Sequence, residues 1–274
     1  MPRTRPYSWA ARGDATSTTG LSITQTPAVR PAEAAELEAL RDLAAAAPPG
    51  LVETRESGGA FALRVDGIVL RETTRILGLY DIAALDELAH LYGSGEFWVQ
   101  LDPAAGLEQE LGARGFEPDY AWQKFERGVE PYEAPTDLRI AEADERLGGL
   151  FSAAYGAPPE LGAWFGRILG RPGWHALGAY DGELLVASGA LWARDGLGWV
   201  GFGATLPSHR GRGAQAALLA ARIDRAAELG VTMLVTETGV AREGRPGPSY
   251  RNLLRAGFAP VYERPNFRLA GTAG

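Results

Sequence analysis

The chain has no cysteine, one lysine, two methionines and three histidines among its 274 residues. Without cysteine there are no disulfides, no thiolate nucleophile and no cysteine-ligated metal, so any chemistry runs on oxygen, nitrogen or a bound cofactor. The single lysine, Lys124, stands outside the G-x-x-x-x-G-K-[ST] arrangement of a phosphate-cradling P-loop. His90, His175 and His209 are too scattered for a local ligand motif, and no metal is expected. No apolar run approaches the ~18–20 residues that cross a bilayer. The opening MPRTRPYSWAARGDATSTTG lacks the apolar core of a secretory signal. A cytoplasmic location with no membrane partner is expected, with residues 1–30 read as a disordered arm.

What is present is an ordinary globular balance, 46% apolar and 22% charged residues, in a chain long enough for two units. The net charge of −7 hides an asymmetry. Residues 1–136 carry 12 basic and 21 acidic residues, and residues 137–274 carry 15 and 13. An acidic first half argues against nucleic acid as a partner, and the second half is the better home for an anionic cofactor.

A repeat divides the chain. Gly115-Phe116-Glu117-Pro118-Asp119-Tyr120 with Phe125 returns as Gly257-Phe258-Ala259-Pro260-Val261-Tyr262 with Phe267, five specified positions at a constant offset of 142. This predicts two copies of one α/β unit, at 31–127 and 138–270, joined by a proline-bearing linker at 128–137. In the first copy the pattern predicts helix over 32–46, strands over 59–65 and 68–73, helix 82–92, strand 97–101, helix 104–113 and strand 119–126. In the second it predicts helices 141–155 and 160–169 and strands 174–180, 183–192 and 198–205, with a hairpin at Asp181-Gly182. Helix 213–229, strand 231–237, helix 249–256 and strand through 258–269 complete it. Such an order describes a mixed sheet flanked by helices.

The most informative stretch is 198–230. A strand ends at Thr205-Leu206-Pro207, a tight loop Ser208-His209-Arg210-Gly211-Arg212-Gly213 follows, and a long helix begins at once. Glycines there let a ligand approach backbone N–H groups at a helix N-terminus, where the dipole and two arginines favour an anion. Arg210-Gly211-Arg212-Gly213-Ala214-Gln215 resembles the coenzyme-A motif Q/R-x-x-G-x-G/A of the GNAT superfamily of N-acetyltransferases, with Gln215 replacing the final small residue. Strand 231–237 and the ending Leu253-Leu254-Arg255-Ala256-Gly257-Phe258 resemble later elements of that family. In the first copy, Leu79-Tyr80-Asp81 stands in place of the glycine loop, and Asp81 would cap the helix and oppose a pyrophosphate.

The resemblance implies a tandem protein of two GNAT-like domains, each a central mixed, mostly antiparallel sheet flanked by helices, the first degenerate and the second binding acetyl-CoA as co-substrate. It implies direct transfer of an acetyl group to a primary amine of a small molecule, by a monomer or homodimer. Gly203, Ala204 and Thr205 would hold the pantetheine arm. Arg210, Gly211, Arg212, Gly213, Ala214, Gln215 and Ala216 would cradle the pyrophosphate, and Asn252 would bond the arm or lie on its helix surface. Glu237 is either the general base, acting directly or through water, or a strand-end carboxylate. Leu253 occupies the position of the family's usual acid tyrosine. Tyr250, one turn earlier, or water is the substitute, with simple packing as the other role of Tyr250. His209 is a loop residue or a base. Phe151, Tyr155, Trp164, Trp192, Trp199 and Phe202 are core or acceptor-pocket aromatics. A catalytically silent acyl-CoA-binding protein is the alternative.

Overall fold

A computed structural model describes residues 29–241 and 244–271; the expected N-terminal arm lies outside them except for Val29 and Arg30. The first half contains α1 (Pro31–Ala45), β1 (Val52–Ser57), β2 (Ala60–Val65), β3 (Thr74–Leu77), α2 (Ala83–Ala89), β4 (Phe97–Gln100), α3 (Glu108–Ala113) and β5 (Glu117–Arg127). The second contains β6 (Arg139–Glu142), α4 (Leu147–Tyr155), α5 (Pro159–Gly166), β7 (Trp174–Asp181), β8 (Leu184–Arg194), β9 (Leu197–Thr205), α6 (Ala214–Glu228), β10 (Met233–Gly239), α7 (Pro248–Arg255) and β11 (Ala259–Leu269).

The mixed sheet flanked by helices is as the order of elements implies, but the two central sheets are joined into one of eleven strands, β1-β2-β3-β4-β11-β5-β10-β9-β8-β7-β6. Each half lends its closing strand to the other. β5 pairs with β10 of the second half, and β11 pairs with β4 of the first. The two repeat segments meet at the centre with reciprocal register, Phe125 opposite Pro260 and Pro118 opposite Phe267. A pseudo-twofold axis therefore passes through the Trp122–Arg264 pair.

Adjacent strand residues face opposite layers. Trp199 joins a cluster with α1, α4 and α5, whereas Val200 joins one with α6 and α7; α2 and α3 cover the first half's strands from that second side. Helix α1 reaches across onto the other half. Trp164 Nε1 donates to Leu43 O at 2.7 Å, and Arg171 pairs with Asp42 at 2.6 Å.

Two local expectations are corrected, and one strand stands where none was expected. Residues 68–73 are a turn, not a strand, with Val69 and Leu70 exposed and Thr73 Oγ1 donating to Ile68 O. The helix expected from 141 starts only at Leu147, because Arg139–Glu142 pairs with β7 as an edge strand. The polar strand β1, VETRES, has no apolar alternation to announce it and is held by its ladder to β2.

Beneath α1 lies a buried charge cluster at the seam. Glu33 and Glu36 of α1, Glu237 of β10, Arg75 of β3, Lys124 of β5 and Arg264 of β11 balance three carboxylates against three cations. Lys124 Nζ meets Glu36 Oε2 at 2.6 Å and Glu237 Oε2 at 3.2 Å, and Arg264 Nη1 meets Glu36 Oε2 at 2.6 Å and Glu33 Oε2 at 3.0 Å. Gln100 Oε1 accepts from Arg75 and Arg264, and Tyr262 donates to Glu33. The chain's one lysine is thus fully buried.

Candidate functional site

β9 and β10 are parallel and share three registered pairs, Leu197 to Trp199 against Met233 to Val235. Thr236 Oγ1 then donates to Val200 O at 2.6 Å. Beyond that bond the strands continue without further pairing to each other, β9 to Thr205 and β10 to Gly239. Their facing edges are left without ladder pairs there, a slot in the sheet, and the segment that follows β9 leads directly to the helix α6.

On the other edge of β9 the ladder to β8 is interrupted. Ala204 pairs with Ser188 and Gly201 with Ala190, so Phe202 and Gly203 together oppose Gly189. Phe202 has φ +54°, one of two non-glycine residues in the left-handed region among those described. This is a β-bulge, a device that re-aims backbone N–H groups. Its carbonyls are taken by side chains from both layers. Gly201 O accepts from Arg222 Nη1 at 3.2 Å, Gly203 O from the Tyr155 hydroxyl at 2.6 Å, and Ala204 O from Gln215 Nε2 at 2.8 Å.

After Thr205 a single 3-10 turn, Pro207–His209, carries the chain to Arg210. Arg210 is exposed, and its guanidinium touches Ala154 O at 3.5 Å. Gly211 and Gly213 both take positive φ, +84° and +80°. Gly213 is the N-cap of the fifteen-residue α6, and among the described residues no side chain caps that end. The first-turn N–H groups of Ala214, Gln215 and Ala216 consequently point outward at a positive dipole end, an arrangement suited to a phosphate oxygen. The linker supports the loop, since Thr136 Oγ1 donates to Arg212 O at 2.9 Å.

Only Leu206 to His209 separate Gly203 to Thr205 from Arg210 to Ala216, and two side chains of these segments are turned elsewhere. Arg212 is held by Asp137 and Asp181, so its charge is already matched and only its backbone faces the loop. Gln215 does not extend outward from the first turn. Its amide reaches inward to Ser188 O, Ala204 O and Thr205 Oγ1, which is why a long polar residue stands where the resembled motif has a small one.

The expected catalytic residues lie apart from the loop. Glu237 Oε2 accepts from both Lys124 and Arg264 within the seam cluster, with 13% of its side chain still exposed. Burial pushes its carboxyl up, against the pull of Arg264. Tyr250 packs edge-on to Phe125 with ring centroids 4.9 Å apart, and Leu253 is buried in the same cluster. Asn252 Oδ1 accepts from Arg255, a helix-surface contact. His209 Nδ1 lies 2.9 Å from Ser208 Oγ, and its Nε2 lies 3.4 Å from Asp181. A cavity of about 310 Å³ opens at the end of β10 and the start of α7, walled by Tyr120, Thr238, Gly239, Arg245 and Ser249. Trp164, Trp192 and Trp199 are core, while Tyr155 is 57% exposed beside the slot.

Among its described residues the first half has no such loop. Asp81 Oδ1 accepts from Ala83 N at 2.9 Å, placing a carboxylate at the start of the seven-residue α2. Among the described residues no group of three or more His, Asp or Glu could hold a metal, and no helix is long and apolar enough to cross a membrane. Neither the bulge nor the part played by Arg222 was visible in the sequence pattern. The one signal was an arginine at 222 on a helix face that also carries Leu218 and Ala226.

No protein-family model matches the chain, and no curated protein matches it by sequence. Solved structures do. A GCN5-related N-acetyltransferase from Kribbella flavida is 19% identical, with a TM-score of 0.61 over 88% of this chain and 95% of that one. One from Sphaerobacter thermophilus is 18% identical, with a TM-score of 0.57 over 87% and 86%. A tandem GNAT protein from the clavulanic acid biosynthesis pathway is 14% identical, with a TM-score of 0.58 over 83% and 86%. The fold is therefore that of the GCN5-related N-acetyltransferases, and the likeness takes in both halves.

Proposed function

We propose that this chain, which has the fold of the GCN5-related N-acetyltransferases, transfers an acetyl group from acetyl-CoA to a primary amine of a small molecule, with its second half as the catalytic one. The observation that carries this reading is the succession of slot, bulge and glycine-capped helix start along the chain. The pyrophosphate would sit on the N–H groups of Gly211 to Ala216 beside Arg210. The pantetheine arm would run along Gly203 to Thr205. The thioester carbonyl would then face the bulge, where an N–H group stabilises the developing oxyanion.

The amine attacks the thioester carbon, the tetrahedral intermediate collapses, and the C–S bond breaks to leave thiolate. An ammonium proton goes to Glu237, directly or through water, and the thiolate takes a proton from water or Tyr250. The cavity at Gly239 and Ser249 is the acceptor side, two residues beyond Glu237. Raising the Glu237 carboxyl brings it toward the working range of a base.

The test is release of free CoA from acetyl-CoA in the presence of spermidine, an aminoglycoside, an amino acid or a peptide. With the responsive amine, Glu237→Gln should bind acetyl-CoA as the parent does and transfer about 100-fold more slowly. An undiminished rate across roughly pH 6–9 removes Glu237 as the base. Binding without CoA release from any amine favours the catalytically silent reading, for which Leu253 in the place of the usual tyrosine speaks.

A further inference from the structure

Arg222 is a buried cation with no counter-ion among the described residues. It is 2% exposed, on the third turn of α6 and facing the sheet. Its Nε donates to Leu218 O at 2.9 Å, and Nη1 donates to Ala190 O at 3.3 Å and Gly201 O at 3.2 Å. Among the described residues no carboxylate pairs with it, whereas Arg75, Lys124 and Arg264 each have one. Burial lowers its guanidinium to about 10, so it stays ionised near neutral pH. Taking a lone charge out of water is costly, and an apolar side chain would fill the same space without that cost.

Its position gives the cost a purpose. The two carbonyls on Nη1, Ala190 and Gly201, are opposite each other where the bulge begins. The guanidinium supplies donors where the ladder is interrupted. Room for it comes from Gly189, where a Cβ would stand 2.6 Å from the guanidinium carbon. The Gly201 carbonyl shares its peptide group with the N–H of Phe202, the bulge residue whose backbone is left-handed. A carbonyl that accepts from a cation polarises its own peptide, which makes the attached N–H a stronger donor.

Resting on the acyl-transfer reading above, we infer that Arg222 is a positioning residue for the thioester: from behind the sheet it holds the bulge and polarises the Phe202 peptide toward the thioester carbonyl oxygen. Tyr155 and Gln215 fix the neighbouring carbonyls from α4 and α6. Negative charge that develops on the oxygen is then met by a donor backed by a buried positive charge.

The test separates charge from bracing and needs no acceptor. Acetyl-CoA labelled with carbon-13 at the thioester carbonyl is bound to the full-length protein, and the carbonyl stretch is read by difference infrared spectroscopy. The parent protein and Arg222→Lys should lower the stretch relative to free acetyl-CoA. In Arg222→Gln, which keeps donors and loses charge, the stretch should return toward the free value while acetyl-CoA still raises the melting temperature. With an amine that responds, kcat should fall about tenfold or more and KM for acetyl-CoA should change little. If Arg222→Gln does not fold, Gly189→Ala displaces the guanidinium and should shrink the shift. A stretch and kcat equal to the parent's in the variant that folds would overturn the assignment of Arg222. Acetyl-CoA that binds the parent with no lowered stretch would overturn it too, leaving the cofactor site intact. Acetyl-CoA that fails to bind the parent would overturn the cofactor site and this inference together.

Discussion

Replacing Glu36 by Ala should lower the unfolding free energy by about 3–5 kcal/mol, the range for removing one member of a buried, hydrogen-bonded ion pair. Glu36 is 1% exposed and holds Lys124 and Arg264 at 2.6 Å each. Without it, two fully buried cations face only Glu33 and Glu237. The effect should appear as a lower urea midpoint. As a control, Glu56→Ala removes a surface partner of Arg41 and should cost under about 1 kcal/mol. A loss at Glu36 no larger than at Glu56 would mean that the seam does not depend on the cluster. Because the cluster joins α1, β3, β5, β10 and β11, both halves should unfold in one transition.

The cluster also sets an acid limit. The carboxyls of Glu33 and Glu36 lie below the ordinary glutamate value: burial raises them, but Arg264 and Lys124 more than offset it. A depressed carboxyl contributes stability that is fully present above its unfolded value, about 4.3, and is lost as the pH falls through the folded one. Glu237, pushed up by burial, acts in the opposite sense. Since two depressed carboxyls oppose one raised carboxyl, the urea midpoint should fall as the pH drops from about 5 toward 3.

Gly213→Ala should weaken acetyl-CoA binding by roughly tenfold or more while the protein stays folded, because a strained backbone position costs about 1–3 kcal/mol. Its φ of +80° is one that an L-residue rarely adopts, and a Cβ there would stand 2.8 Å from Pro135 O. Relief requires the loop to move off the linker, and that turns the first N–H groups of α6 away from the pyrophosphate. Gly211→Ala shares the strain at +84° but meets nothing within 4 Å, so its effect should be smaller. Equilibrium binding of acetyl-CoA to the three proteins checks the order. Equal affinity for Gly213→Ala and the parent would place the cofactor elsewhere.

The elements with strong periodicity were legible, and so was the anion loop. α1, α6 and the central strands carry apolar faces at helical or alternating spacing, and glycines at 211 and 213 marked the turn before α6. The repeat at offset 142 announced two copies. It could not announce that β5 and β11 change places, because the same apolar residues suit either neighbour and only long-range pairing decides. Edge strands β1 and β6 were missed because half-exposed polar strands have little pattern of their own. The bulge escaped notice because Phe202 reads as an ordinary strand residue, and the cluster because its six charges come from five separate elements. Lys124 stood out only for being alone.

Melting temperature against acetyl-CoA concentration tests the central claim most directly, since a ligand of the folded state stabilises by RT ln(1 + [L]/Kd), about 2.7 kcal/mol at 100 Kd. The slot, the bulge and the uncapped start of α6 predict a saturable rise that is reduced in Arg210→Ala. No shift at millimolar acetyl-CoA, with CoA and longer acyl-CoAs equally without effect, would contradict the assignment of this path as a coenzyme-A site.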